Sequence, residues 1–537
     1  MHTWLIVLLV VVVLIVLLVL HDVLQKRHTI LRNFPVIGHL RFLLEKVGPE
    51  LRQYIVTAND EERPFTRDER RWVYASSKLE NRYFGFGSDN DMEHTPGYVI
   101  VRHATFPAPA PNIDPVRTLP ASKVLGERHG RAKAFRPNSI INVSAMSFGA
   151  LSSNAVEALN RGAAIAGCMH NTGEGGISEY HLNGGDLVFQ IGTGYFGCRD
   201  LETGKFSLDK LQETIARGPV RAIEIKLSQG AKPGHGGILP GVKVSDEIAR
   251  IRGVRAGVDC VSPPGHAAFG NVDELLGFIE TIANATGLPV GIKSAVGERQ
   301  FWRDLARRMR ETGTGPDFIT IDGGEGGTGA APLVFTDHVS LPFTIAMSEV
   351  YRTFAAEGMH EAVPFIGSGR LGLPERTLLA FALGCDMVNV AREAMFSIGC
   401  IQAQRCHTDH CPTGVTTQRP WLVRGLDPTL KSARMANYIA ALRSDLIDLS
   451  RTCGAQHPAL VDLDMVDVLD EHFSVSSLRD VFSYEPGWGT PPESELTGLR
   501  ELLANAGSID PCEHDYLTNT NLRDEASGRT SSRPSMS

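Results

Sequence analysis

Phe318-Ile319-Thr320-Ile321 is a short, apolar, β-rich run that feeds straight into Asp322-Gly323-Gly324-Glu325-Gly326-Gly327-Thr328-Gly329. A buried strand that ends in a polar, glycine-rich loop reads as half of a βα unit. The same rhythm spreads outward from it. Ile140–Val143, Cys168–His170, Leu187–Gln190, Ala222–Lys226 and Pro289–Lys293 precede it, and Pro364–Gly367 and Asp386–Val390 follow. Helix-like stretches lie between: Asn154–Ala166, Leu208–Arg217, Val272–Ala285, Phe301–Glu311 and Pro374–Leu383. Alternation at this spacing implies a parallel sheet, and eight units favour closure into a (β/α)8 TIM barrel over residues 138–425. Another short run ending at Val261 would make nine and keeps an open doubly wound sheet as the alternative.

Most of these runs end in polar or glycine-rich residues. Ser144-Ala145-Met146-Ser147-Phe148-Gly149 follows the first and Asn171-Thr172-Gly173-Glu174-Gly175-Gly176 the second. The fourth continues as Lys226-Leu227-Ser228-Gln229-Gly230-Ala231-Lys232-Pro233-Gly234, and the fifth ends at Lys293. In a barrel the βα loops share one face, so these groups are expected to converge on a single site.

Composition narrows the function classes. The 537 residues carry 53 Lys+Arg against 61 Asp+Glu, a net charge of −8, which argues against a nucleic-acid partner. Hydrophobic residues at 42% and charged residues at 21% fit a folded chain. The 54 glycines exceed the usual share of roughly 7%, with the excess in the middle of the chain. Nine cysteines, an odd number at ordinary density, argue against a secreted disulfide scaffold.

Trp4 to Leu20 is apolar throughout. Its length, about 17 residues, is at the short end of what spans a bilayer. A cleaved signal needs a basic start and small residues at the cleavage site, and neither is present. Lys26, Arg27 and Arg32 follow the span instead. The expectation is a signal-anchor over residues 1–24, single-pass in the cytoplasmic membrane, with the rest of the chain facing the cytoplasm. Residues 25–137 read as a helical or irregular segment packed on the barrel. Within it, Thr66 and Glu69 have capping-box spacing at the start of a helix running to about Glu80. The aromatic-glycine run Arg82–Gly87 reads as a turn packed on the main domain. Residues 426–505 read as a mostly helical extension, with a helix over Pro428–Ser450, and 506–537 as a disordered tail.

Cys400, Cys406 and Cys411, with Pro412 after the last, form C-x5-C-x4-C. That spacing suits an iron–sulfur cluster. Zinc completed by His407 or His410 is a rival, and unligated thiols are a third reading. Gly324-x-Gly326-x-x-Gly329 formally matches a dinucleotide fingerprint, yet no acidic residue ends a strand about 20 residues later. A loop that admits a flat ring close to its backbone fits better. Gly367-Ser368-Gly369-Arg370 looks like a phosphate cradle at the end of a strand. Lys226 and Lys293, at the ends of buried strands, call for anionic partners. Glu174 could act as a general acid/base or orient an amine, and Lys232 could neutralise a substrate carboxylate.

Taken together, the segment from about 140 to 420 resembles the FMN-binding synthase domain of glutamate synthases. The stretches that carry the resemblance are Ala145–Ser152, Asn171–Gly176, Gln190–Gly197, Gln229–Gly234, Ser262-Pro263-Pro264, Gly326–Ala330 and Cys406-x4-Cys411-Pro412. The resemblance implies FMN, a [3Fe-4S] cluster on Cys400, Cys406 and Cys411, and condensation of 2-oxoglutarate with ammonia to an imine that FMN reduces. It places Ala145, Met146, Ser147, Gln190, Lys226, Lys293, Gly323, Gly324, Gly326 and Gly327 at the flavin. Gly367, Ser368, Gly369 and Arg370 would be at its phosphate. It assigns Glu174, Gln229 and Lys232 to catalysis, and Lys232, Arg252 and Ser147 to the oxoacid. The implied electron donor is ferredoxin or an NAD(P)H-dependent flavoprotein.

Departures from the family pattern are local. Residues 25–135 are too short for the glutamine amidotransferase domain, so glutamine hydrolysis is expected to be absent. Ser262-Pro263-Pro264-Gly265-His266-Ala267-Ala268 replaces the usual Ser-Pro-Pro-Pro-His-His-Asp, and Ile238 stands where a Gln is usual. Both lie near the expected substrate and leave the oxoacid and amine open. Two other functions stay in view: a membrane-anchored electron-transfer or ammonia-receiving subunit, and another FMN barrel dehydrogenase.

Overall fold

In the computed structural model of the chain, the described residues are 2–25, 29–83, 85–489, 491 and 493–505. Lys26 and Arg27, two of the three basic residues after the apolar span, and the expected tail at 506–537 lie outside them. The chain divides into two compact units, Met1–Glu69 and Arg70–Ser537.

The first unit is helical. α1 covers His2–Leu24, α2 Thr29–Asn33 and α3 Gly38–Leu51, which continues into a π-helical turn at Arg52–Val56. α1 is long and apolar enough to cross a membrane, with a mean hydropathy of 3.5. The capping box expected at Thr66 is present. The Thr66 amide donates to Glu69 Oε2 at 2.7 Å and the Glu69 amide to Thr66 Oγ1 at 3.2 Å, opening α4, Arg67–Lys78.

The second unit is built on the expected barrel. Its strands are β1 Ile141–Val143, β2 His170–Asn171, β3 Leu187–Ile191 and β4 Val220–Lys226. They continue with β5 Val290–Ser294, β6 Ile319–Asp322, β7 Phe365–Ser368 and β8 Met387–Val390. All pair in parallel, each with its sequence neighbours, and β8 closes on β1. The open-sheet alternative is thereby excluded. Cys260–Val261 lies outside the barrel and pairs antiparallel with Ile238–Leu239. Strand interiors are buried, as a parallel sheet covered by helices requires.

The helix Ser153–Ala166, α5, is capped by Ser152 and ends at Gly167 in the left-handed region. The long helix Pro428–Thr452, α6, packs along it. A Cβ at Gly162 would stand 2.8 Å from Met435 Sδ and 2.9 Å from the Ser432 carbonyl, so glycine sets how closely the two helices approach. The extension is not wholly helical. Val466–Leu469 pairs antiparallel with both Val99–Val101 and Val475–Ser477, tying the segment before the barrel to the segment after it. Trp72 and Arg82 both bond Asp445 on α6, at 3.2 and 2.9 Å. The expected packing of the aromatic-glycine run fails for Tyr83 and Phe86, which are fully exposed. Arg82 beside them makes the contact instead, through Asp445. Phe84 lies outside the described residues.

Candidate active site

Each barrel strand delivers its last residues to one rim. The β2 loop holds Glu174 in a 3-10 turn, Gly173–Gly175. The Glu174 carboxylate lies 3.0 Å from the Lys226 ammonium at the end of β4. Lys226 also donates to Gln229 Oε1 at 3.2 Å, and Gln229 donates to the Gly327 carbonyl at 3.2 Å. Lys232, buried, donates to the Ala330 carbonyl at 2.7 Å. The expected groups Glu174, Lys226, Gln229 and Lys232 thus form one cluster, linked to the glycine loop after β6.

Glycines make room for it. A Cβ at Gly192 would lie 2.6 Å from Glu174 Oε2, and one at Gly237 would lie 2.5 Å from Oε1. Ser262 Oγ would meet that same Cβ of Gly237 at 3.1 Å, so it borders Glu174 as well. A Cβ at Gly230 would overlap the Gly323 carbonyl oxygen, so the β4 and β6 loops meet backbone to backbone.

Burial pushes the Glu174 carboxyl up, but Lys226, Arg252 and Lys232 together outweigh it and hold it below the ordinary glutamate value. Lys232 moves the other way: burial first, then the Lys226 charge, bring it down to about 8. One carboxylate therefore sits among three cations, and the site carries a net positive field.

Arg252 comes from the helix Asp246–Arg252, capped by Ser245. It is buried and donates to Ser147 Oγ at 3.0 Å and to the Phe148 carbonyl at 3.1 Å. A Cβ at Gly175 would be 2.9 Å from its guanidinium and 2.8 Å from Ser147 Cβ. Its Nε is buried without a hydrogen-bond partner. Met146 backbone packs against Gly173, and Ala145 opens the same loop.

Lys293 pairs with Asp322 at 3.6 Å, and Asp322 accepts from the Gly230 amide at 2.8 Å. Gln190 is buried in the bore, where its amide donates to Glu224 Oε1 at 2.7 Å. Asn171 and Thr320 donate to the same carboxylate at 2.8 and 2.7 Å. Sequence reading missed Glu224, although an acid inside Ala222-Ile223-Glu224-Ile225-Lys226 was a signal.

The cradle expected at Gly367–Arg370 stands beside the β6 glycines. The Gly323 amide donates to the Ser368 carbonyl at 2.9 Å, and Gly369 and Arg370 turn the chain with φ of 133° and 52°. Gly324 and Gly326 shape the same loop, and Gly327 lies against Arg392. Glu325, raised by burial, accepts from the Phe343 amide at 2.9 Å and fixes the loop to the helix Phe343–Ala356.

Cys400, Cys406 and Cys411 share the loop after the Arg392–Ser397 helix. Burial pushes Cys400 up to about 12, and the other two thiols add to the shift. Cys411 lies below the ordinary thiol value, because hydrogen bonds from Thr416 and Thr413 outweigh burial. Among the described residues, no three His, Cys, Asp or Glu side chains converge tightly enough to hold a metal ion. The loop is fastened to the active-site rim. Gln418 donates to the carbonyls of Gly149 and Leu151 at 3.1 and 2.8 Å. The buried Lys243 donates to Ala150 at 2.6 Å and to Cys406 at 3.4 Å. Tyr74 bonds the Cys400 carbonyl at 2.7 Å. None of these three fasteners was read from sequence.

Residues 120–456 match the conserved region in glutamate synthase. The chain belongs to the glutamate synthase family. It is accordingly an oxidoreductase. It is 41% identical over 472 residues to the glutamate synthase large subunit-like protein YerD of Bacillus subtilis, covering 81% of this chain and 89% of that one. It is 35% identical over 317 residues to the archaeal glutamate synthase [NADPH] of Methanocaldococcus jannaschii, covering 58% of this chain and 59% of the relative. A glutamate synthase large subunit-like protein of Rhizobium meliloti is 30% identical over 390 residues, with coverage of 69% and 84%. Among solved structures, a mandelate oxidase variant aligns with a TM-score of 0.39 at 14% identity over 78% of this chain and 96% of its own, too loose a likeness to build on.

Proposed function

We propose that the chain is a flavin-dependent oxidoreductase that aminates 2-oxoglutarate, or a related oxoacid, by reducing the imine formed with ammonia. The observation that carries this reading is the Glu174–Lys226 pair at 3.0 Å, set in the field of Lys232 and Arg252. A dicarboxylate needs paired cations, and an imine needs one polar group that can orient its N–H. Lys232 and Arg252 are the carboxylate clamps, with Ser147 holding Arg252 in place. Glu174, ionised at neutral pH, holds the nitrogen, and Gln229 fixes Lys226 beside it.

The residues present fit FMN. Lys226 and Lys293 are register partners near the ends of adjacent strands, and glycines leave bare backbone, without side chains, at the ends of β6 and β7. Lys226, Lys293 and Gln190 would hold the ring, the Ala145–Ser147 and Gly323–Gly327 loops would flank it, and Gly367–Arg370 would hold the phosphate. Bound there, FMN supplies the hydride. Cys400, Cys406 and Cys411 lie on one loop and would offer three thiolates to a [3Fe-4S] cluster, with the Lys243 ammonium bonded to the Cys406 carbonyl beside them. Such a cluster supplies single electrons from a ferredoxin or an NAD(P)H-dependent flavoprotein. α1 would anchor the chain in the cytoplasmic membrane with the barrel on the cytoplasmic side.

The test is anaerobic. The purified full chain is reduced, then given 2-oxoglutarate alone, ammonium alone, or both. The flavin should reoxidise only with both, with an equal amount of glutamate formed. A flavin that stays reduced with the pair, and with other oxoacid and amine pairs, would contradict the reading.

A further inference from the structure

We infer that residues 34–56 lie in the membrane interface beside α1, as a second lipid-contacting element. The inference rests on the reading of α1 as a span. Three observations lead to it.

The first is the apolar face. Leu40, Leu44, Val47 and Leu51 are spaced by four, three and four residues, so they share one side of α3. They are 56%, 57%, 39% and 40% exposed. Phe34 and Ile37 before the helix, and Ile55 and Val56 after it, are more exposed still. Side chains of this size, left open in a continuous row, mark a contact surface. The second is the polar side. Arg41 pairs with Glu45 at 2.9 Å, and Lys46 lies two residues from Leu44 on the opposite side. Such a helix is too polar to cross a bilayer yet apolar enough to lie on one.

The third observation identifies the occupant. Asp22, in the last turns of α1, is fully buried. Its carboxylate accepts from the Val36 amide at 3.0 Å and bonds His39 Nε2 at 3.0 Å. This clasp fixes the start of α3 against the end of α1. If α1 spans the bilayer, α3 starts at the depth where the span stops, which is where an apolar stripe with charged flanks is stable. The exposed row therefore continues the lipid-facing surface of α1. A lipid surface explains both with one partner, where a protein partner would have to cover the stripe at the membrane boundary.

The full chain is placed in vesicles of phosphatidylethanolamine and phosphatidylglycerol doped with a phospholipid carrying a photoreactive acyl tail. After irradiation, labelled residues are mapped by peptide mass spectrometry. Leu40, Leu44 and Val47 should carry at least about fivefold more label than Arg41, Glu45 and Lys46. The double variant Leu40→Ser/Leu44→Ser should lose that label while residues 3–24 keep theirs. Labelling of residues 3–24 without the α3 face would overturn the inference and leave the span intact. Absence of label from both would overturn both. Protection of the α3 face by a second copy, seen as chain-to-chain crosslinks in place of lipid adducts, would also overturn it.

Discussion

Lys226 and Lys293 are register partners on adjacent parallel strands, so two ammonium groups leave the β4–β5 ladder side by side. Each has one acid of its own, Glu174 at 3.0 Å and Asp322 at 3.6 Å. Those acids offset the two charges, but an ammonium has three donors, so each lysine can still bond a further acceptor that lies above the pair. A flavin is expected to be that group. Replacing Lys293 by Met should weaken FMN binding by the apoprotein by about tenfold or more, measured by fluorescence titration. Unchanged affinity would place the flavin elsewhere.

Glu174 is the acid on which the chemistry centres. Glu174→Gln keeps the shape and removes the charge. Turnover with oxoacid and ammonium should fall about 10²–10⁴-fold, while the protein keeps its flavin. Steady-state rates and the visible spectrum measure the two effects separately.

The glycines around Glu174 differ in what they tolerate. Gly237→Ala would press on Glu174 Oε1 at 2.5 Å, the end of a flexible side chain, and should lower turnover with little change in melting temperature. Gly230→Ala would meet the Gly323 carbonyl, which is backbone, and should destabilise the barrel by more than about 1–3 kcal/mol. Thermal melts and rates together check the contrast.

Lys232 sets a pH dependence. Burial lowers it to about 8. It is charged below that value and neutral above it, so affinity for the oxoacid should fall as pH rises through about 8. Glu174, held below the ordinary glutamate value, stays ionised across that range and adds no second step. A profile of KM against pH should show one inflection, and Lys232→Arg should remove it.

Glu224 should act through Gln190. Three neutral donors converge on its carboxylate in the bore. Glu224→Gln would set an amide donor against one of them, at a cost of about 1–3 kcal/mol, and free Gln190 to rotate. A lower unfolding midpoint together with a shifted flavin spectrum is expected. A shift in stability alone would confine Glu224 to a structural role.

The barrel was legible because its signals are local and repeated. Each run from Ile140–Val143 to Asp386–Val390 became a strand, and most of them lead into glycine or polar residues. Val261 misled for the same reason, since a two-residue ladder with Ile238–Leu239 looks like a strand end in sequence. Glu174, Lys226, Gln229 and Lys232 were legible because strand ends in a barrel must converge. Glu224 sat within a run already explained as a strand. Lys243, Gln418 and Tyr74 fasten the cysteine loop through contacts between residues far apart in sequence, which spacing cannot reveal. The clasp from Asp22 to Val36 and His39 joins two helices across a turn, and neither helix pattern alone announces it.

The most direct measurement is the chromophore itself. Freshly purified full-length protein, denatured under mild acid, should release FMN at about one per chain, identified by mass and fluorescence. Folded protein that releases no flavin, and takes up none when FMN is supplied, would contradict the proposed site at the barrel mouth.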